Sequence, residues 1–367
     1  QKGCMEIMKL FMTKDEDLYD KTIEDVFDDE DSVPHSAVLA DDFAFENWHS
    51  ALEMKLYFQR FITIIAGLPD FSALKFTKYN QYESLILPMQ KYLENAGVDF
   101  QFNTEVTNVV FEFKEEKKIA SAIECKVKGV EKGILLTEND LVFVTNGSCT
   151  EGTIYGDQNH APNGDAEDAQ AAVGLSGKII ARQDPSFGHP EKFCSDIAKT
   201  NWNPQRSQRW MKDHPLHHQH LQTRSPHRKV VTGGIVSCMD SKWLMSWTIN
   251  RQGQFKTQGK DKVCVWVYGL FTDFPVILLK TDERLYRKRD HRGMAVSSCV
   301  PTDQIEDLAE NSAVCVPTMM PYITAFFMPR TKATARTSFR MLRQFAFLGQ
   351  FADTPRDTVF TTEYSVR

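Results

Sequence analysis

The chain has 367 residues, of which 42% are hydrophobic and 25% are charged, an ordinary balance for a folded protein of two or three domains. Its formal net charge of -6 gives no support for nucleic-acid binding, which usually needs a basic surface. No apolar run reaches the roughly 18–20 residues that span a bilayer, and residues 1–10 lack the pattern of a secretory signal.

The eight cysteines are scattered along the chain, and none belongs to a Cys-x-x-Cys pair. A zinc ribbon or a thioredoxin-type site is therefore not expected. Scattered cysteines in a chain of this length are typical of reduced, buried thiols in the cytosol, so we predict a cytoplasmic protein that holds no metal. Because the chain begins with Gln1 and not with Met, we also expect it to be a fragment.

Two helices are predicted in the first hundred residues. In Phe43–Ile65, apolar side chains recur at spacings of three and four, and Tyr57 is one of them. An aromatic residue on such a face is usually part of the core, so spacing alone does not mark Tyr57 as catalytic. The second helix runs from about Leu87 to Ala96, with Pro88 in its first turn and Gly97 at its C-terminal cap.

Strands follow the second helix. Alternation of apolar and polar residues, or a mostly apolar run, predicts strands at Val98–Phe102, Val106–Phe113 and Ala122–Lys128. Leu141–Val144 is apolar throughout, as in a strand that is buried on both faces, and Phe345–Leu348 is predicted as a late buried strand. Further strand candidates, rich in β-branched or aromatic residues, are Val230–Val236, Trp243–Ile249 and Val263–Phe271. Met319–Met328 is apolar, and we expect it to be buried.

Two of these strands end in turns that contain glycine. Leu141–Val144 continues into Thr145, Asn146, Gly147 and Ser148, and Phe345–Leu348 continues into Gly349 and Gln350. Ligands of α/β proteins bind at the carboxyl ends of strands, and glycine lets the backbone approach them closely. Taken alone, the turn at Gly147 is explained equally well as an ordinary glycine-containing turn, and for the segment around Gly349 core packing is the more common explanation. No Gly-x-Gly-x-x-Gly follows a strand, so we expect a Rossmann pyrophosphate loop either to lie upstream of Gln1 or not to exist.

Four stretches lack the periodicity of their surroundings: Asp31–Asp41, Asn203–Arg228, Thr281–Cys299 and Thr331–Gln344. The second contains five of the ten histidines, which could indicate a metal site or a basic patch, or simply a solvated loop. We favour a third interpretation. When plausible codons for parts of three of these stretches are shifted in frame, ordinary turn and strand sequences result, so we expect out-of-frame translation here.

Several long blocks resemble one family, the oleate hydratases, also called the myosin-cross-reactive antigen family. The resemblance covers most of the chain outside the four odd stretches. The blocks are Phe43–Gln59, Pro69–Pro88, Asp140–Thr150, Asp184–Trp202, Lys229–Gln252, Val316–Arg330 and Phe345–Arg367. It implies an α/β fold, with a three-layer, Rossmann-like FAD-binding domain, a substrate domain with a mixed sheet, and a helical region.

The same resemblance implies domain boundaries and an activity. Residues 1–74 would be the helical region, 75–155 part of the FAD-binding domain, 156–330 the substrate domain, and 331–367 a return to the FAD-binding domain. The implied reaction is hydration of an unsaturated fatty acid such as oleate, with FAD present but no net redox change. A homodimer with peripheral membrane contact is expected.

Site residues follow from the matching blocks. Tyr57, in MKLYFQ, would be the acid that protonates the alkene, and Thr248 and Asn250, in SWTINRQ, would be polar substrate contacts. Where the family often has a histidine, this chain has Gln254. The cofactor would be contacted by the backbone near Val106 and by the two glycine-containing turns.

One family motif has no counterpart here. The glutamate that activates the attacking water belongs to an Arg-Gly-Gly-Arg-Glu block, which these 367 residues lack. Two alternatives to a working hydratase therefore stay open. One is an inactive lipid-binding remnant of the same family, and the other is a flavin oxidoreductase of the desaturase or amine-oxidase type.

Overall fold

The computed structural model describes residues 2–27, 45–67, 72–114, 117–145, 147–157, 175–194, 235–237, 246–250, 253–259, 262, 264–269, 314, 316, 318–331, 337–338, 344–353 and 366. Its helices are α1 (Lys2–Met12), α2 (Ile23–Val26), α3 (Ala51–Phe61), α4 (Leu87–Asn95), α5 (Leu175–Gln183) and α6 (Glu191–Cys194). Short 3-10 turns occur at Asp15–Leu18, Ile62–Gly67, Pro185–Phe187 and Ala325–Phe327, and a π turn at Tyr82–Ile86 leads into α4.

Helix α3 is shorter than the sequence predicts. The helix begins at Ala51 because Ser50 caps it, with the Ser50 side chain accepting a hydrogen bond from the Glu53 backbone. Before the cap, the Glu46 backbone N–H donates to His49 Nδ1 at 2.9 Å, which holds a turn in place of a helix. The predicted start near Phe43 is therefore wrong.

Helix α4 is confirmed, and so is its C-terminal cap at Gly97. The cap is a Schellman motif: the Val98 N–H donates to the Leu93 carbonyl, and the Gly97 N–H donates to that of Glu94, both at 3.0 Å. Gly97 has φ +93°, as this motif requires. The predicted strand Val98–Phe102 is wrong, because Val98 completes the cap and the chain becomes a strand only at Thr104.

Both parallel and antiparallel strand pairs are present. The strands are β1 (Thr104–Lys114), β2 (Lys117–Val127), β3 (Val130–Leu135), β4 (Val142–Val144), β5 (Ile154–Tyr155), β6 (Val236–Ser237), β7 (Ser246–Ile249), β8 (Val265–Tyr268), β9 (Thr318–Met319), β10 (Thr337–Ser338), β11 (Phe345–Phe347) and β12 (Ala352–Asp353). The orders β1-β2-β3 and β6-β7-β8 form antiparallel sheets, β5 pairs antiparallel with β9, and β4–β11 and β10–β12 are parallel pairs. The mixed α/β class is confirmed, whereas no observation here tests the predicted domain boundaries.

One apolar core lies between the β1–β2 hairpin, the β4–β11 pair and α5. Its buried residues are Val109, Phe111, Ala120, Val142, Ile180, Phe187, Phe345, Phe347 and Ala352. The Gln183 side chain at the end of α5 donates to the Val109 carbonyl at 2.8 Å and accepts from the Phe111 N–H at 3.0 Å. Strand β11 is buried throughout, as predicted, but Phe143 of β4 is 56% exposed, so β4 is not buried on both faces.

A second core is built by the helices. Its buried residues are Leu10, Leu18, Ile23, Phe45, Ala51, Leu52, Met54, Phe58, Phe326 and Phe327, and we call it the helical core. Tyr57, Cys149 and Phe351 pack against it while staying partly exposed. Within the part of the chain that the structure describes, no helix has both the length and the apolar character needed to cross a membrane.

Candidate functional site

The parallel pairing of β4 with β11 brings the two predicted glycine turns together. Phe345, Ala346 and Phe347 pair with Val142, Phe143 and Val144, and the Leu348 N–H continues the ladder by donating to the Val144 carbonyl at 2.8 Å. The segments that follow β4 and β11 therefore leave the sheet at the same edge. A pocket of about 620 Å³ opens there, lined by Thr145, Gly147, Ser148, Thr150, Glu151, Leu348, Gly349 and Gln350.

The close approach of the two turns depends on glycine. Gly349 has φ +91°, and a Cβ built on it would lie 3.4 Å from the Thr145 carbonyl oxygen. Gly147 has φ +84°, and a Cβ there would collide with the Glu151 carboxylate. The Glu151 side chain thus lies over Gly147 and adds a carboxylate to the lining of the pocket.

Gln350 ties the two turns to each other. Its Oε1 accepts from the Cys149 N–H at 2.9 Å, and its Nε2 donates to Cys149 Sγ at 3.6 Å. Burial raises the pKa of the Cys149 thiol, so Cys149 stays protonated near neutral pH and is a poor nucleophile. The turn after β4 is closed further by the Glu151 N–H, which donates to the Ser148 carbonyl.

The lining of the pocket indicates what it can hold. Its described residues offer hydroxyls from Thr145, Ser148 and Thr150, the Gln350 amide and the Glu151 carboxylate, but no lysine or arginine. This set suits the ring edges and hydroxyls of a flavin, since hydroxyls, amides and carboxylates donate to or accept from such groups. It suits a pyrophosphate poorly, because Glu151 would repel that charge.

The structure brings five of the seven predicted cofactor residues into this pocket. They are Thr145, Gly147, Ser148, Gly349 and Gln350. Asn146 lies outside the described residues. Val106 lies on β1, 46% exposed, beside a β-bulge between Val106 and Asn108, and is not among the residues that line the pocket.

Tyr57 lies on α3, against the helical core. Its ring makes a T-shaped contact with Phe45, at 5.4 Å between centroids, and a tilted contact with Phe61 at 4.7 Å. Burial raises the pKa of Tyr57 to about 12, so the phenol keeps its proton at neutral pH. Since Cys149 and Phe351 pack against the same core, the loops that follow β4 and β11 lie beside the core that α3 helps to build.

Thr248 and Asn250 lie at β7 in a separate antiparallel sheet. Thr248 is buried and opposes Trp266 of β8. The Asn250 backbone N–H donates to the Cys264 carbonyl at 2.9 Å, and its Nδ2 lies 3.5 Å from Cys264 Sγ. Neither residue is among those that line the strand-end pocket. The Gln254 carbonyl accepts from the Asn80 N–H at 2.8 Å, which ties this region to the start of α4's helical stretch.

Two features of the site were missed at the sequence level. One is Glu151, whose position four residues after Gly147 could have suggested that it folds back over the turn. The other is a buried ion pair between Glu53 and Arg330, 2.6 Å apart. The sequence signal for this ion pair is Glu53, which lies among the apolar residues of a predicted helix, since a buried charge needs a partner.

No group of three or more potential metal ligands occurs among the described residues. The histidine-rich stretch 203–228 lies outside them, as do 31–41 and 281–299, and of 331–344 only residues 331, 337, 338 and 344 are described. The interpretation of these stretches as out-of-frame translation stays a prediction.

Comparison with known proteins agrees with the resemblance seen in the sequence blocks. The MCRA family model matches residues 1–367. An oleate hydratase of Streptococcus pyogenes is 41% identical over 389 residues, which cover 100% of this chain and 63% of the relative. A linoleate hydratase of Lactiplantibacillus plantarum is 26% identical over 348 residues, which cover 89% of this chain and 60% of the relative. The chain thus spans less than two thirds of the length of these relatives, and the family match along its whole length shows that it belongs to the MCRA family.

Proposed function

We propose that this chain is part of a hydro-lyase that adds water across the cis double bond of an unsaturated fatty acid, converting oleate to 10-hydroxystearate. The observation that carries the proposal is a half-buried, protonated tyrosine on α3, a helix of the core against which Cys149 and Phe351 pack from the turns of the strand-end pocket. It occurs in a chain whose relatives are named oleate hydratase and linoleate hydratase.

Tyr57 is the proton donor in this proposal. Its O–H bond breaks as a C–H bond forms at one alkene carbon, and the other carbon takes up the positive charge and then the oxygen of water. The proton that this water releases balances the one that Tyr57 gives up, so alkene and water yield the alcohol with no redox change. Because burial raises the pKa of Tyr57 to about 12, the phenol is a weak acid, and the nascent cation beside it has to stabilise the phenolate.

The proposed cofactor is FAD, held at the strand-end pocket. Thr145, Asn146, Gly147, Ser148, Gly349 and Gln350 would contact it, and the backbone near Val106 would face its adenine. The two positive-φ glycines support this assignment, since they let the backbone approach a planar ring closely. When bound, the flavin supplies a polar wall that shapes the site.

Thr248 and Asn250 are the proposed polar contacts to the substrate. Their support is the family block in which they lie. Thr248 is part of β7 and Asn250 directly follows it, with its backbone N–H donating to the Cys264 carbonyl. Thr248→Val keeps the shape of the side chain and removes its hydroxyl. We expect it to raise KM for oleate with little change in kcat.

The proposal extends to partners and location. The protein would work as a cytoplasmic homodimer with peripheral membrane contact, since fatty acids partition into bilayers. Support comes from exposed apolar side chains along one helical stretch: Tyr82, Leu85, Ile86, Met89 and Tyr92. Light scattering of the purified full-length protein tests the dimer, and flotation with phosphatidylcholine vesicles tests the membrane contact.

The test of the activity uses the full-length protein loaded with FAD and supplied with oleate. Formation of a hydroxy fatty acid, with the flavin still oxidised, is the expected result. Flavin reduction by the substrate would instead favour an oxidoreductase. Fatty-acid binding without turnover would favour a lipid-binding remnant. Either outcome overturns the hydratase assignment.

A further inference from the structure

Helix α3 carries a buried charge one turn before Tyr57. Glu53 Oε1 accepts from Arg330 Nη2 at 2.6 Å, and the two side chains are 0% and 4% exposed. Arg330 Nε and Nη1 have no hydrogen-bond partner among the described residues. Among the described residues, Glu53 is the anion that the buried guanidinium contacts.

The segment that contains Arg330 is anchored to the same end of α3 by its backbone. The Ser50 N–H, at the cap of the helix, donates to the Phe327 carbonyl at 2.8 Å. The Arg330 carbonyl accepts from the Asp20 N–H at 3.0 Å. Residues 327–330 are therefore joined to the start of α3 twice, by the Ser50–Phe327 backbone hydrogen bond and by the Glu53–Arg330 ion pair.

A chain of ring contacts leads from this segment to Tyr57. Phe327 contacts Phe45 at 4.6 Å between ring centroids, and Phe45 contacts Tyr57 at 5.4 Å. Along the helix itself, Glu53 and Tyr57 are four residues apart and share a face. A displacement of residues 327–330 would therefore change the position of the Tyr57 phenol, both through α3 and through the ring contacts.

We propose that the Glu53–Arg330 ion pair fixes α3 and Phe327 so that the Tyr57 hydroxyl is aimed at the alkene. Glu53 and Arg330 are positioning residues, and this inference rests on the proposed role of Tyr57. A buried pair whose partners lie far apart in the chain constrains geometry strongly, because moving either charge breaks a 2.6 Å contact inside the core. Misplacement of a reacting group by about 1 Å can cost about 10²-fold in rate.

The test compares steady-state kinetics of the FAD-loaded full-length protein and three variants, with oleate as substrate. Glu53→Gln/Arg330→Met removes both charges together, so neither is left unpaired in the core. Arg330→Lys keeps the charge but loses the planar guanidinium. The control is Asp15→Asn. It breaks the 2.5 Å pair between Lys55 of α3 and Asp15 of the 3-10 turn Asp15–Leu18, whose side chain is 53% exposed.

We expect the neutral double variant to lose at least tenfold in kcat with KM nearly unchanged. Arg330→Lys should also lower kcat, but by less. Asp15→Asn should keep wild-type kcat. In a Tyr57→Phe background the double variant should have no further effect, because the pair acts through Tyr57.

A folded, flavin-bound double variant with wild-type kcat overturns the inference, and so does full additivity with Tyr57→Phe. If the double variant does not fold, Arg330→Lys decides the question on its own, and wild-type kcat there overturns the inference too. Undiminished activity of Tyr57→Phe alone is a separate result, since it overturns the role of Tyr57 in the proposed function.

Discussion

Single residues contribute to the site in two ways, through the backbone at Gly147 and Gly349 and through the side chain at Tyr57. The glycines have positive φ and lie where a Cβ would crowd the Thr145 carbonyl or the Glu151 carboxylate. Tyr57 contributes a phenol whose pKa is raised by burial. The sequence could point to the glycines because they follow apolar strands, whereas Tyr57 has the spacing of any core aromatic and was marked only by its family block.

The backbone role of Gly349 can be tested with Gly349→Ala. An alanine would be strained at φ +91° and tight against Thr145, so we expect a loss of about 1–2 kcal/mol in the free energy of unfolding. We also expect weaker flavin binding, measured as the Kd for FAD by fluorescence quenching. Unchanged flavin affinity in a destabilised variant would show that the turn is structural and does not contact the cofactor.

The partial burial of Tyr57, which raises its pKa, gives stability a pH dependence. Its pKa is about 12 in the folded protein and near 10.0 when exposed. Because the folded pKa is the higher one, the stabilisation is complete below pH 10 and is lost as pH rises through 12. Between pH 10 and pH 12, the free energy of unfolding measured in urea should therefore fall more steeply for the wild type than for Tyr57→Phe. Parallel curves would contradict the burial of the phenol.

At the scale of elements, local sequence patterns predicted which segments form helices and strands better than they predicted which strands pair. The Schellman cap of α4 follows from Gly97 after an apolar face, and β1, β2 and β11 follow from their composition. The start of α3 was wrong because apolar residues before Ser50 fit the helical spacing, although the Ser50 cap and the His49 side chain exclude a helix there. The pairing of β4 with β11 joins segments some two hundred residues apart, so no local pattern could specify it.

The cap of α4 offers a matched pair of variants. In Gly97→Ala the new Cβ meets nothing within 4 Å, so the cost comes from φ +93° alone. We expect a loss of about 1 kcal/mol in the free energy of unfolding. Gly133→Ala in β3, also without neighbours and without a positive φ, should cost nothing measurable. Equal effects in chemical denaturation would contradict the assigned cap.

At the scale of the whole molecule, two apolar cores support the site. The core between the β1–β2 hairpin, the β4–β11 pair and α5 holds the ends of β4 and β11. The helical core contains α3, and Cys149 and Phe351, from the turns after β4 and β11, pack against it. The family blocks predicted the turns after β4 and β11 and the role of Tyr57 on α3 separately. That the turns and α3 lie near each other depends on tertiary contacts, which no block specifies. Thr248 and Asn250 lie on a different sheet, and their relation to the substrate stays a prediction.

The four aperiodic stretches lead to a prediction about the gene. If they are translated out of frame, the coding DNA should show compensating single-base insertions or deletions at their edges, relative to homologous genes. Sequencing of independent clones across 31–41, 203–228, 281–299 and 331–344 tests this. An intact frame with no nearby insertion or deletion would make these stretches genuine parts of the protein.

The most direct test of the account is the conversion of oleate by the FAD-loaded full-length protein and by its Tyr57→Phe variant, followed by mass spectrometry of the product. General acid catalysis typically contributes about 10²- to 10⁴-fold. We therefore predict that the wild type forms a product with one added water, and that the variant binds flavin normally but loses at least about a hundredfold in rate. A variant as fast as the wild type would contradict the assignment of Tyr57 as the proton donor.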